Sequence, residues 1–243
     1  MSYTNILLAR SLDKIRTFTK DFEETKTIEI NGQAISLLEF SALNYFSQDR
    51  NILVGIDIPV GLGKDFFNNY EILNVPKFTH GALMTLAWTV NTLEVDEPFV
   101  VAPIDGVVLT DVRKFAESMV EDAVQIGLIA FPSKNPNFSY LRLKGKEIIE
   151  FAEKEVIGSL ATSGIFYFQN KEILLKCIEW SLMNNVNKDG QYFLAPALNY
   201  AIGENMNIGL WEVAENDYFR FSTEDQFKIS LERLRKKIAN REN

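Results

Sequence analysis

Short runs of apolar, often β-branched residues alternate along this chain with segments in which apolar positions recur every three to four residues. A run that stays apolar at every position suits a strand covered on both faces, whereas the wider spacing suits a helix with one buried side. "TNILLA", "NILVGID", "PFVVAPIDGVV" and "AVQIGLIAF" are runs of the first kind and predict buried strands. Between them, Ile35, Leu38, Ala42, Leu43 and Phe46 in "ISLLEFSALNYFS", and Leu83, Leu86, Ala87 and Val90 in "GALMTLAWTVNTL", fall at helical spacing. "TDVRKFAESMVED" predicts a helix with Thr110 as its N-cap. Strand and helix in alternation predict an α/β fold with a mixed, mostly parallel central sheet flanked by helices.

The second half changes character. "FSYLRLKGKEIIEFAEKE" alternates as a hairpin turning at Gly145, "ATSGIFYFQN" reads as a strand and "KEILLKCIEWSLMNN" as an amphipathic helix. After "FLAPALNYAIGEN", a strand in "NIGLWEVA" precedes a last helix in "STEDQFKISLERLRKKIAN", whose charged end after Leu234 reads as solvated. There is no repeat, low-complexity tract or linker, so residues 1–243 are expected to form a single domain.

Composition narrows the function classes. With 243 residues, 47% hydrophobic and 24% charged, the chain is long enough to bury one substantial core. A net charge of -8 weighs against nucleic acid as a partner, yet leaves room for a local basic pocket that takes a small phosphorylated ligand. Cys177 is the sole cysteine, which excludes an internal disulfide and a thiolate metal cluster and points to a reducing, cytoplasmic setting. The apolar stretch near the N-terminus is too short for a signal peptide, and no long uninterrupted apolar run occurs, so no membrane partner is expected. His80 is the sole histidine, and any zinc site or Ser-His-Asp arrangement has to be built around it. "GLGKD" lacks the earlier glycine of a phosphate loop and has Asp65 where Ser or Thr is needed, so it reads as a turn. Trp180, Trp211 and the aromatic residues near 218–221 suit either a core or a homo-oligomer interface, core being the expectation.

One residue asks a question of its own. "FVVAPIDGVV" is apolar until Asp105, and desolvating an isolated carboxylate costs several kcal/mol, roughly. Such a residue is paired, protonated, placed at the strand's exit or bound to a cation. As a capping residue of the next turn it would need no ligand at all.

The order of the motifs "TKTIEINGQAISLLEFSALNYF", "THGALMTLAWTV", "PFVVAPIDGVV", "NFSYLRLKGKEIIEFAEKEVIGSLATSGIFYF", "GQYFLAPALNYAI" and "YFRFSTEDQF" resembles the sugar-phosphate nucleotidyltransferases. Within that family the likeness is to a bacterial branch linked to capsule and lipopolysaccharide precursors, and it is strongest over residues 137–200. The resemblance implies a Rossmann-like, GT-A-type fold with a nucleotide-binding half over residues 1–136 and a sugar-binding half over 137–243. It further implies that a phosphorylated sugar attacks the α-phosphorus of an NTP, giving a nucleotide-sugar and pyrophosphate, with charge neutralised by Mg2+ and basic side chains. Carried over residue by residue, Asp105 matches a magnesium-binding, catalytic aspartate and Lys26 a catalytic cation. Arg10 and Lys14 would face the nucleotide phosphates, and Thr79 and Gly81, with Thr85, the base. Glu153 and Lys154 match a pair that reaches the sugar phosphate, and Gly164 a glycine that lets the backbone approach the sugar. From the residues alone, Lys154 also reads as a solvated lysine, Gly164 as a bulge and Gly81 as a helix start.

Three departures from the family pattern stand out. A glycine-rich phosphate loop is replaced by "LLARSLDKIRTF", which has no glycine and adds Asp13. Lys26 sits in "TKT", without the flanking prolines. Arg10, Lys14 and Arg16 either rebuild a phosphate grip from side chains or form a solvated basic turn. In the region of a second metal-binding acid stand neutral Gln191 and Asn199, with Asp189 recommended by proximity alone. Two functions are therefore expected to compete: a divergent nucleotidyltransferase, and a catalytically inactive relative that binds a sugar or nucleotide ligand or regulates an active one.

Overall fold

The computed structural model describes residues 3–11, 27–30, 33–36, 50–58, 70–77, 79–95 and 97–239. The first buried run forms β1 (Thr4–Ser11), and β2 (Thr27–Ile30) and β3 (Gln33–Ser36) make a separate antiparallel pair. Ile35 therefore lies in a strand, where its spacing predicted a helix; the other positions of that pattern lie outside the described residues. The cross-strand partners of β2 decide the conformation there, which a periodicity of single residues does not register. β4 (Arg50–Ile56), β5 (Tyr70–Asn74) and β6 (Phe99–Pro103) join β1 in a parallel block ordered β5-β4-β1-β6. β5 had no clear signal, because Tyr70–Asn74 is short and polar at alternate ends.

Beyond β6 the sheet becomes mixed. β7 (Gly106–Val108) leaves it, β8 (Ile126–Pro132) stays, and β9 (Ser139–Lys144) and β10 (Glu147–Glu153) form the expected hairpin with Gly145 at φ 64 in its turn. β11 (Leu160–Phe168) pairs antiparallel with β6, β8 and β9, and β12 (Ile208–Glu212) runs parallel to β8. β13 (Tyr218–Arg220) pairs with β7 in a small antiparallel sheet of its own.

The apolar runs are explained by burial on both faces. Ile6, Ile52, Val54, Phe99, Val101, Ile126, Leu128, Phe166 and Phe168 point into one core, and Leu7, Leu53, Val100, Ala102, Ile129, Phe131, Ile165 and Tyr167 into the other. Successive residues alternate between the two, as the two-residue period of a strand requires. The first face is covered by α1 (Ala82–Thr92), α3 (Lys171–Met183), α4 (Leu194–Ala197) and α5 (Asn199–Gly203), the second by α2 (Val112–Glu121). Cys177 is buried in the first core, and burial pushes its thiol up to about 12, so it acts as a small apolar side chain.

α2 is capped by Asp111, whose side chain accepts the Lys114 N–H at 3.0 Å, one residue after the Thr110 expected there. Thr110 instead accepts the Trp211 indole N–H at 3.3 Å. A third core joins Val107 and Leu109 to Phe219, Phe221 and the apolar face of α6 (Glu224–Ala239). Tyr218, Phe219 and Phe221 are thus core residues of this chain. The end of α6 is less solvated than its charges suggest, since Lys237 pairs with Asp217 at 2.5 Å and Ile238 is buried. No helix among the described residues is long and apolar enough to cross a membrane.

Candidate ligand site

Asp105 stands outside the strands. β6 ends at Pro103, Ile104 and Asp105 form the turn, and the aspartate is half-buried at the strand's exit. Its carbonyl accepts the Phe221 N–H at 2.9 Å, and the β7–β13 pair sets Gly106 opposite Arg220 and Val108 opposite Tyr218. Buried Tyr218 stacks on Phe131 with ring centroids 4.1 Å apart. Burial holds the Tyr218 hydroxyl well above the ordinary phenol range, Arg220 pulls it down and Asp105 pushes it further up. Gly164 comes to the same turn from β11, in a bulge at φ 87, where an added Cβ would lie 3.0 Å from Cγ of Pro103. The bulge read from the sequence is present, and the neighbour this backbone approaches is Pro103.

Glu153 ends β10 and Lys154 follows it. Lys154 adopts φ 51, donates its backbone N–H to Phe138 O at 3.1 Å and sets its ammonium 5.3 Å from the Phe193 ring centroid. Glu153 accepts the Ser139 hydroxyl. Burial raises its carboxyl above the usual carboxylate range, against the Ser139 hydrogen bond and the charges of Lys154, Arg220 and Lys188. A carboxyl raised on folding contributes stability at acid pH, and that contribution is lost as pH rises through its folded value. Glu153→Gln is accordingly expected to melt above wild type at neutral pH and to lose this advantage below the ordinary carboxylate range, read as Tm across a pH series.

The segment assigned to the base is tied to the second half. Thr79 and Thr85 hydroxyls lie 2.7 Å apart, Leu83 N–H donates to Tyr192 O at 3.2 Å and Tyr192 N–H to His80 O at 2.8 Å. Gly81, at φ 109, opens α1 where a Cβ would fall 2.3 Å from Tyr192 O. Tyr192 follows a tight turn in which Asp189 (φ 53) and Gly190 (φ 72) link Lys188 to Gln191, and it precedes Phe193 under the Lys154 ammonium. The structure therefore joins Thr79 and Gly81 to Lys154 through Tyr192 and Phe193. Lys14, Lys26 and the side chain of Arg10, whose backbone belongs to β1, lie outside the described residues.

Lys188, Tyr192, Phe193 and Arg220 were not singled out by the sequence. A cation alternating with aromatic residues in "YFRF" was the available signal for Arg220. Asn199 has another duty than metal binding: its Oδ1 accepts the Phe151 N–H at 2.9 Å, and its Nδ2 donates to Phe151 O at 2.8 Å and Pro196 O at 3.0 Å. Asp189 is exposed in its turn. Among the described residues no three His, Cys, Asp or Glu side chains gather as metal ligands. Asp105 offers one carboxylate, and across the strand pair its neighbour Gly106 faces Arg220, so the described donors do not fit a resident magnesium ion.

No protein-family model and no curated protein matches the chain. Solved structures do. A nucleoside-diphosphate-sugar pyrophosphorylase from Vibrio cholerae superposes with a TM-score of 0.72 at 18% identity, covering 94% of this chain and 99% of that one. A Bacillus anthracis protein assigned as a glucose-1-phosphate thymidylyltransferase gives 0.70 at 14% identity, over 98% and 95%. The inositol-1-phosphate CTP transferase from T. maritima gives 0.62 at 14% identity, over 95% and 96%. Over nearly its whole length, then, this chain has the fold of the sugar-phosphate nucleotidyltransferases, as the order of its motifs implied.

Proposed function

We propose that this protein is a divergent, cytoplasmic nucleotidyltransferase-like protein that binds a phosphorylated sugar or a related small molecule and transfers to it a nucleotidyl group from an NTP. The observation that carries this reading is the set of cations around Glu153. Lys154, Lys188 and Arg220 all act electrostatically on this one largely desolvated carboxyl, next to the sharp backbone at Lys154. A phosphoryl group placed among these cations would be stabilised by their charge. Two of the similar proteins are named for glucose 1-phosphate and inositol 1-phosphate, and we extend that class of substrate to this site.

In the proposed reaction an oxygen of the acceptor phosphate attacks the α-phosphorus of the NTP. The new P–O bond forms as the bond to the β-phosphate oxygen breaks, and the electron pair leaves with pyrophosphate. Lys154 holds the acceptor phosphate, Gly164 admits the sugar, Thr79 and Gly81 lie at the base, and Lys26, Arg10 and Lys14 face the triphosphate. The resemblance assigns Mg2+ to Asp105, but the described donors around Asp105 do not fit that ion. The product would be a precursor for surface polysaccharide.

A second reading, ligand binding without turnover, is favoured by the absence of glycine from residues 7–18. Backbone N–H groups cannot cradle a triphosphate where side chains stand. Calorimetric titration with each NTP, glucose 1-phosphate and inositol 1-phosphate, beside a pyrophosphate-release assay, separates the two. Turnover supports the first reading, and binding without pyrophosphate the second. Lys154→Ala is expected to weaken sugar-phosphate binding by about 10- to 100-fold, the worth of one charge-assisted hydrogen bond. If none of these compounds binds, both readings fail.

A further inference from the structure

This inference rests on the reading of an anion site above and concerns what neutralises the anion there. Arg220 sits where the two ends of the site meet. Its backbone pairs with Gly106, next to Asp105, while its guanidinium lies over the Phe138 ring at 4.9 Å and donates to Asn137 O at 3.0 Å. Phe138 is itself wedged edge-on against Phe131 and Tyr218, with centroids 5.3 and 5.6 Å away. From the other side, Ser230 of α6 donates its hydroxyl to Arg220 O at 2.8 Å. The guanidinium is thus held in place before any ligand arrives, and no carboxylate among the described residues forms an ion pair with it. Both the Tyr218 hydroxyl, at the Asp105 end, and the Glu153 carboxyl, at the Lys154 end, feel its charge.

We infer that Arg220 supplies the fixed positive charge for the phosphoryl group at the Asp105 turn, so that this site takes its anionic ligand without a divalent cation. A guanidinium presents several N–H donors in a planar fork that matches phosphate oxygens, and stacking on Phe138 orients the fork in advance. A divalent ion brought to Asp105 would meet this cation and would find no second described acid beside it. Asp105 then has the reverse of a metal ligand's effect. Its negative charge opposes the anion, and removing it favours binding.

The test is calorimetric titration of the full chain with inorganic pyrophosphate and with glucose 1-phosphate, in EDTA and in excess magnesium, for wild type, Arg220→Gln, Arg220→Lys and Asp105→Asn. The expected result is equal affinity in the two buffers, a loss of about tenfold or more in Arg220→Gln, partial recovery in Arg220→Lys and tighter binding in Asp105→Asn. Thermal unfolding of the variants accompanies the titrations. A purely structural role for the Phe138 stack would lower Tm and binding together in both Arg220 variants, and that outcome overturns the inference. So does binding that requires magnesium and disappears in Asp105→Asn, while leaving the ligand reading intact. Should Arg220→Gln not fold, the sign of the Asp105→Asn effect decides alone. Failure of either probe to bind wild type in any buffer would remove the anion site itself.

Discussion

Gly81→Ala is expected to lower stability by about 3 kcal/mol and to release the Thr79–Gly81 segment from the second half of the chain. Two costs combine. An alanine at φ 109 is strained in any surroundings, and its Cβ would fall 2.3 Å from Tyr192 O and 2.8 Å from Tyr192 N. Those are backbone atoms held by hydrogen bonds to His80 and Leu83, so neither side yields without breaking the tie. Gly145→Ala is the internal control. Gly145 also has a positive φ, of 64, but nothing lies within 4 Å of an added Cβ, and about 1 kcal/mol of conformational strain is all that is expected. Urea unfolding midpoints of the two variants give the comparison. Equal losses would mean that Gly81 and Tyr192 are not packed against each other, and that the Thr79–Gly81 segment is not coupled to the Lys154 end through Phe193.

Asn199→Asp is expected to cost a similar amount, about 3 kcal/mol at neutral pH. The substitution is nearly isosteric, but it replaces an amide donor that serves Phe151 O and Pro196 O by a carboxylate oxygen, which repels both. The acceptor that serves Phe151 N–H remains. The new carboxyl would have a folded pKa above its unfolded value, so the loss shrinks as pH falls and the acid takes up a proton that it can donate to Phe151 O. Urea unfolding at neutral and mildly acidic pH reads this out. Magnesium should not rescue the variant, because position 199 faces the backbone of β10. A stabilising effect of magnesium would restore the metal role that the sequence suggested for this neighbourhood.

What was legible in advance divides along physical lines. Long apolar runs such as "FVVAP" and "IGLIAF" become strands in the centre of the sheet because burial on both faces leaves no alternative partner for their side chains. The place of Asp105 was one of several alternatives that the run left open, and the structure puts it at a strand exit, where "PFVVAPIDGVV" divides into β6 and β7. The short elements could not be read in advance. β13 consists of Tyr218–Arg220, and only its pairing with β7 makes it a strand. Ile35 belonged to a convincing helical pattern, yet its segment pairs with β2. Thr110 and Asp111 are both good caps by composition, and the choice fell to Asp111 because Trp211, 101 residues away, occupies the Thr110 hydroxyl.

The sequence by itself determined the layered α/β architecture and the absence of cysteine and histidine clusters, because these follow from composition and from periods of two and three to four residues. Only the tertiary structure decided which distant residues meet. It brought Arg220 opposite Gly106, set Phe193 under Lys154 and committed Asn199 to β10. Each of these is a meeting of residues far apart in the chain, fixed by strand register and by hydrogen bonds between backbones, and no local pattern of side chains encodes such a meeting.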